Sequence, residues 1–240
     1  MDNPSYVTLS RQSGLQRAMT IIANNIANMS TNGFRREGVL FAEMYAPIPG
    51  QPDTMAMTAA RVRLTDFSPG PLATTGGTFD FAIDGPGFFM IDTPEGPRLT
   101  RDGAFARSLD GELVTFDGNR VLDAGGAPIF LPPDAAAIAV AADGTIDADG
   151  QTIGELGLVE VEDPGTLLRE ASGLFATDDV LLPSATSRIL QGRLEQSNVD
   201  PVVEMTRMIE VQRAYELGAG FADREDDRIR NLVRTLGQQV

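Results

Sequence analysis

The segment IIANNIANMSTNGF, residues 21–34, sets four asparagines in a stretch whose apolar residues recur with helical spacing. Asparagine is a poor helix former, because its amide competes for nearby backbone groups. Working back from this segment, Leu15, Met19, Ile22, Ile26 and Met29 are spaced 4, 3, 4, 3, which is a heptad seam. On that seam Asn25 falls at the edge, while Asn24, Asn28 and Asn32 form an outward stripe at i, i+4, i+8. Outward amides suit either hydration or hydrogen bonds to another chain, and the pattern favours neither. Gly33 reads as the left-handed residue that stops the helix, with Phe34 next and Met29 as its apolar contact.

Working forward, residues 45–78 are rich in Pro, Gly, Thr and Ala and read as an extended connector. Residues 79–192 change texture. Short apolar runs such as FDFAI, GFFMI, ELVTF and LGLVEV are punctuated by Asp-Gly at 84, 102, 110, 117, 143 and 149. Such pairs between short apolar runs mark tight turns of antiparallel sheet, so this middle is expected to be a compact β domain.

Residues 193–240 form the C-terminal helical segment, where Asp200-Pro201 supplies an N-cap and a first-turn proline. Beyond it Met205, Met208, Gln212, Tyr215, Ala219, Ala222, Asp226, Ile229, Val233 and Leu236 keep a 4, 3 alternation over about ten turns. Asp226 is a polar residue on that seam, and it can pair with Arg230 at i, i+4. Gly218 and Gly220 weaken the helix beside it. The expected fold is α+β: helical segments at 1–44 and 193–240 form a coiled-coil-like pair around a central, mostly antiparallel β domain. A lone amphipathic helix is marginal in water, so each is the obvious partner of the other.

The 240 residues contain no Cys, His, Trp or Lys, which removes disulfides, Cys/His zinc sites and histidine-based catalysis. The net charge of −15 is uneven. Residues 1–63 hold six Arg and four acids, and residues 193–240 hold seven Arg and nine acids. Residues 64–192 hold six Arg against 21 acids, so nucleic-acid binding through a basic patch is not expected. No apolar run reaches the ~18 residues of a membrane span, and the N-terminus lacks the basic and apolar regions of a cleaved signal.

Motifs for chemistry are weak. Asp92-Thr93-Pro94 misses the aspartic-protease glycine, and the calcium-loop pattern starting at Thr145 fails at Leu156. Gly85-Pro-Gly87 lacks the third nucleotide-loop glycine, where Met90 stands. Six acids precede turn glycines, where solvated turn duty outweighs a glycosidase pair. Arg35-Arg36 reads as a solvated pair. No catalytic residue, metal or cofactor is expected.

Three stretches carry a resemblance. SGLQRAMTIIANNIANMSTNGFRREGVLF and LEQSNVDPVVEMTRMIEVQRAYELG resemble the N- and C-terminal signatures of the axial proteins of the bacterial flagellum, the rod and hook proteins. FDFAIDGPGFFMIDTPEGPRLTRDGAFARSLDGELVTFDGNRVLD resembles the β segment that rod and hook members share. The match covers nearly the whole chain and is most similar to the proximal-rod members, with the distal-rod members as rival. Gly218 and Gly220 depart from the better helix formers of the family. The resemblance implies a non-enzymatic structural subunit, exported without a cleaved signal through the flagellar type III export apparatus. It would assemble with other copies of itself and with neighbouring proximal and distal rod proteins in the periplasmic rod of the basal body. The implied subunit interface is Leu15, Met19, Ile22, Asn24, Asn25, Ile26, Asn28, Met29 and Phe34 with Met205, Met208, Gln212, Tyr215, Ile229, Val233 and Leu236. A secreted carboxylate-dependent hydrolase and a free-standing acidic binding module are the competing classes.

Overall fold

The computed structural model describes residues 3–47 and 54–237. Its elements are two helices and a set of strands whose pairings are all antiparallel, an α+β protein. They divide into two compact units. The first comprises residues 1–27, 37–66 and 200–240, and the second residues 28–36 and 67–199.

In the first unit, α1 (Asn3–Ala27) packs against α2 (Pro201–Gly237) and against a hairpin of β1 (Glu37–Pro47) and β2 (Thr54–Thr65). The α2 start follows its sequence signal: Asp200 Oδ1 accepts from Val202 N–H at 2.9 Å and Val203 N–H at 3.2 Å. With 37 residues, α2 runs about 55 Å at ~1.5 Å per residue, and α1 with 25 runs about 37 Å. The Asp226–Arg230 pair closes at 2.5 Å. The stretch 45–78, expected as an extended connector, contains β2 and a further strand, Leu72–Thr74. Its proline and glycine residues cluster at its two ends. Between them TMAMTAARVRLT contains neither and is free to pair with β1.

In the second unit the strand Phe88–Thr93 is central. It pairs with Gly96–Thr100 on one side and with Arg120–Leu122 on the other. Phe89 and Ile91 enter one core with Phe81, Phe105 and Val121, while Phe88 and Met90 enter a second with Leu122, Val159 and Phe175. Burial on both faces explains the continuous apolar run FFMI in place of an alternating pattern. Asp149 and Gly150, at φ 52 and 82, form a two-residue hairpin turn between Ala148 and Gln151, as the Asp-Gly reading expects.

The Asn-Gly at 32–33 behaves differently from a helix stop. The α1 helix itself ends at Ala27, six residues earlier. Gly33 does take a left-handed φ of 64, but its N–H donates to Glu195 O at 2.7 Å and not to a helix carbonyl. A Cβ here would lie 2.4 Å from the Arg101 carbonyl carbon. Gly33→Ala therefore combines left-handed strain with a backbone clash, and we expect a loss of about 3 kcal/mol or more. Urea denaturation of the full chain checks this, and a loss below about 1 kcal/mol would show that the loop yields freely.

Candidate functional site

Two buried polar nodes organise the segments that carry the terminal signatures. In the first unit, Asn25 is fully buried on α1. Its Nδ2 donates to Glu37 O at 2.8 Å and to Glu204 Oε2 at 3.0 Å, and its Oδ1 accepts from Glu37 N–H at 2.9 Å. One amide thus joins α1, the start of β1 and the first turn of α2. Glu204 is buried too, and its Oε1 accepts from Arg207 Nη1 at 3.0 Å.

In the second unit, Glu195 lies between two arginines, each 2% exposed. Oε1 is 2.6 Å from Arg35 Nη1 and accepts from Gly70 N–H at 2.8 Å. Oε2 accepts from Arg101 Nε at 2.9 Å. Arg101 also donates to Gly85 O at 2.8 Å, to Ile83 O at 3.2 Å and to Gly87 O. Burial lowers the Arg101 pKa, and Glu195 opposes that shift. The neighbouring Asp102 is raised, chiefly by burial, against a hydrogen bond from Ala104 N–H. The expectation that Arg35-Arg36 is a solvated pair is corrected here. Arg35 is buried because its partner, Glu195, arrives from 160 residues away in sequence. A further guanidinium, Arg169, lies 4.1 Å over the Phe34 ring and donates to Arg35 O.

The residues expected at the subunit interface are placed unevenly. On α1, Ile22 and Asn25 are buried, Leu15, Met19 and Ile26 are half-buried, and Asn24 is exposed. The deepest positions are Gly14, Ala18, Ile21, Ile22 and Asn25, so the buried line 14, 18, 21, 25 is the expected heptad moved by one residue. Small Gly14 and Ala18 at its start permit close approach, and α1 is covered by both α2 and the β1–β2 hairpin. Leu15 lines a groove with Ala214, Leu217 and Gly218 of α2. In the second unit Asn28 is half-buried, and its Oδ1 accepts from Thr31 Oγ1. Phe34 is buried, whereas Met29 stays exposed. On α2, Met208 and Tyr215 are half-buried, and Met205 and Gln212 are exposed. The side chains of Ile229, Val233 and Leu236 lie outside the described residues.

Six large apolar residues of α2, Val202, Val203, Met205, Ile209, Leu217 and Phe221, are between 41% and 74% exposed. Scattered apolar exposure is ordinary, but a run along one helix marks a contact surface. Among the described residues no cluster of three or more acidic side chains is placed to hold a metal ion. No described helix is long and apolar enough to cross a membrane.

Comparison with known proteins shows the family. Residues 6–35 match the family model described as flagella basal body rod protein. Residues 82–148 match the flagellar hook protein FlgE/F/G D1 domain, and residues 190–234 the flagellar basal body rod FlgEFG protein C-terminal model. The chain is 39% identical to the flagellar basal-body rod protein FlgF of Caulobacter vibrioides, over 99% of both chains. The chain belongs to the FlgF family of flagellar basal-body rod proteins. It is 39% identical to the Mesorhizobium japonicum FlgF over 100% of both chains, and 32% identical to the FlgG of Bacillus subtilis over 95% of this chain and 97% of that one. It is a structural, non-enzymatic subunit of the flagellar rod that assembles with other rod proteins in the basal body. The carboxylate-dependent hydrolase is thereby set aside. Both buried nodes fall where the terminal matches meet their partners: Asn25 and Arg35 lie in the N-terminal match, Glu195 and Glu204 in the C-terminal one.

Local sequence announces neither node. Heptad spacing leaves Asn25 at the seam edge beside the outward stripe, and no pattern singles out Glu195. A local signal exists for Glu204 alone, an acid in the first turn of a capped helix.

Proposed function

We propose that this rod subunit occupies the proximal, periplasmic part of the rod, joining other copies of itself and the adjoining rod proteins through its helical ends. The observation that carries the reading is the exposed apolar run on α2, which neighbouring helices would cover. In this reading α1 and α2 form a coiled-coil-like pair through Leu15, Met19, Ile22 and Ile26 with Met208 and Tyr215. Met205, Gln212, Asn24, Asn28 and Met29 then face adjacent chains. Asn25 supports the helix pair from within. Export proceeds through the flagellar type III apparatus without a cleaved signal.

The test separates folding from assembly. Ile209→Asp changes an exposed site, so monomer stability should stay within about 0.5 kcal/mol of the parent. In cells the variant should be exported yet absent from isolated basal bodies, because burying an unpaired carboxylate costs several kcal/mol. Asn24→Ala with Asn28→Ala should fail in the same way if those amides bond neighbouring chains, at about 1 kcal/mol per lost bond repeated along the rod. Normal rods from Ile209→Asp would exclude the α2 face from assembly, and normal rods from the alanine pair would remove those amides from the interface.

A further inference from the structure

The six arginines among residues 64–192 are outnumbered by 21 acids, yet Arg101 and Arg169 gather with Arg35 in one place in the second unit. Arg35 and Arg101 share Glu195, so a site that water barely reaches holds two guanidinium charges against one carboxylate. Arg101 has carbonyls for its other donors. Arg35 differs: its Nε is buried without a hydrogen-bond acceptor, and its Nη1 meets Glu195 as an ion pair without hydrogen-bond alignment. A cavity of about 370 Å³ has Arg35 and Arg101 on its lining, with walls of Phe67, Leu72, Pro86 and Phe88 and with Asp84 beside them. A buried positive excess with an unused donor seeks an anion, and apolar walls seek an apolar stem beside it.

The same unit displays such a group. Between the strands Phe105–Arg107 and Leu113–Thr115, Leu109 is fully exposed at a hairpin tip and is followed by exposed Asp110. The tip is held rigid: Gly111 N–H donates to Ser108 O at 3.1 Å, and Glu112 N–H to Ser108 Oγ at 3.0 Å. A large aliphatic side chain in water beside a carboxylate matches the cavity in both polarity and charge.

We propose that the cavity receives the Leu109–Asp110 tip of a second copy, with the Asp110 carboxylate on Arg35 and Leu109 against Phe67 and Phe88. This rests on the self-assembly reading above. Tip and cavity are different surfaces of one chain, so the contact is heterologous and repeats from copy to copy, the kind that builds open helical arrays. It also sets an attractive ion pair between chains whose net charges of −15 repel.

The chain has no cysteine, so Pro86→Cys supplies a unique attachment point for an environment-sensitive fluorophore on the cavity lining. Labelled full-length chain is titrated with unlabelled full-length copies, and self-association is followed in parallel by sedimentation. Parent copies should shift the emission, and so should Asp117→Arg copies, altered at the adjacent hairpin tip. Copies carrying Leu109→Ser with Asp110→Arg should need roughly tenfold more protein or higher, reflecting the unburied leucine and the reversed charge. Equal potency of the tip variant, or loss of the shift with Asp117→Arg instead, overturns the assignment of the tip. Association by sedimentation without any emission shift overturns the contact and leaves the rod reading intact. Absence of association at every concentration overturns both.

Discussion

Glu195→Ala is expected to destabilise the second unit by about 3–5 kcal/mol, the usual cost of leaving buried charges without their counterion. Arg35 and Arg101, each 2% exposed, would both lose the carboxylate they share, and Gly70 N–H would lose its acceptor. Glu195→Gln sharpens the experiment. It keeps the shape and an acceptor for Gly70 while removing the charge, so a loss approaching that of the alanine variant assigns the effect to electrostatics. Urea midpoints of the full chain, followed by a probe in the sheet, give both values. A loss of under about 1 kcal/mol for alanine would mean that water enters and solvates the arginines once the carboxylate is gone.

The second large effect is expected at Asn25. Replacing it with alanine removes three buried hydrogen bonds, those to Glu37 N–H, to Glu37 O and to one oxygen of buried Glu204. At about 1 kcal/mol for each buried hydrogen bond lost, the first unit should lose about 3 kcal/mol. Asn24→Ala, one residue away and exposed, should stay within about 0.5 kcal/mol. Hydrogen exchange of α1 and α2 amides distinguishes the two variants, because only the first should release both helices together. Equal effects at 24 and 25 would show that the node does not couple the helices. The contrast also divides the asparagines by role: Asn25 serves the fold of one subunit, leaving Asn24 and Asn28 as the candidates for contacts with neighbours.

Much of the architecture is written locally. Heptad spacing at 15–29 and an N-cap with proline at 200–201 announce two helices, because helical periodicity and orphan backbone groups are properties of a few adjacent residues. Short apolar runs between Asp-Gly pairs announce the antiparallel middle for the same reason. The absence of His and Cys narrows the chemistry before any fold is known, and the terminal signatures identify the rod family. Tertiary structure decided which helix face is inside. A step of one residue turns a side chain by about 100°, and the β1–β2 hairpin lying along α1 moves the deepest line from 15, 19, 22, 26 to 14, 18, 21, 25. That hairpin was itself hidden, because the prolines and glycines on either side of TMAMTAARVRLT gave the whole stretch the composition of a connector. Tertiary structure also made Arg35 a buried ion and not a solvated one. The charge of an arginine is fixed by its own chemistry, but its solvation depends on a carboxylate supplied 160 residues later, at Glu195, which no local pattern can announce.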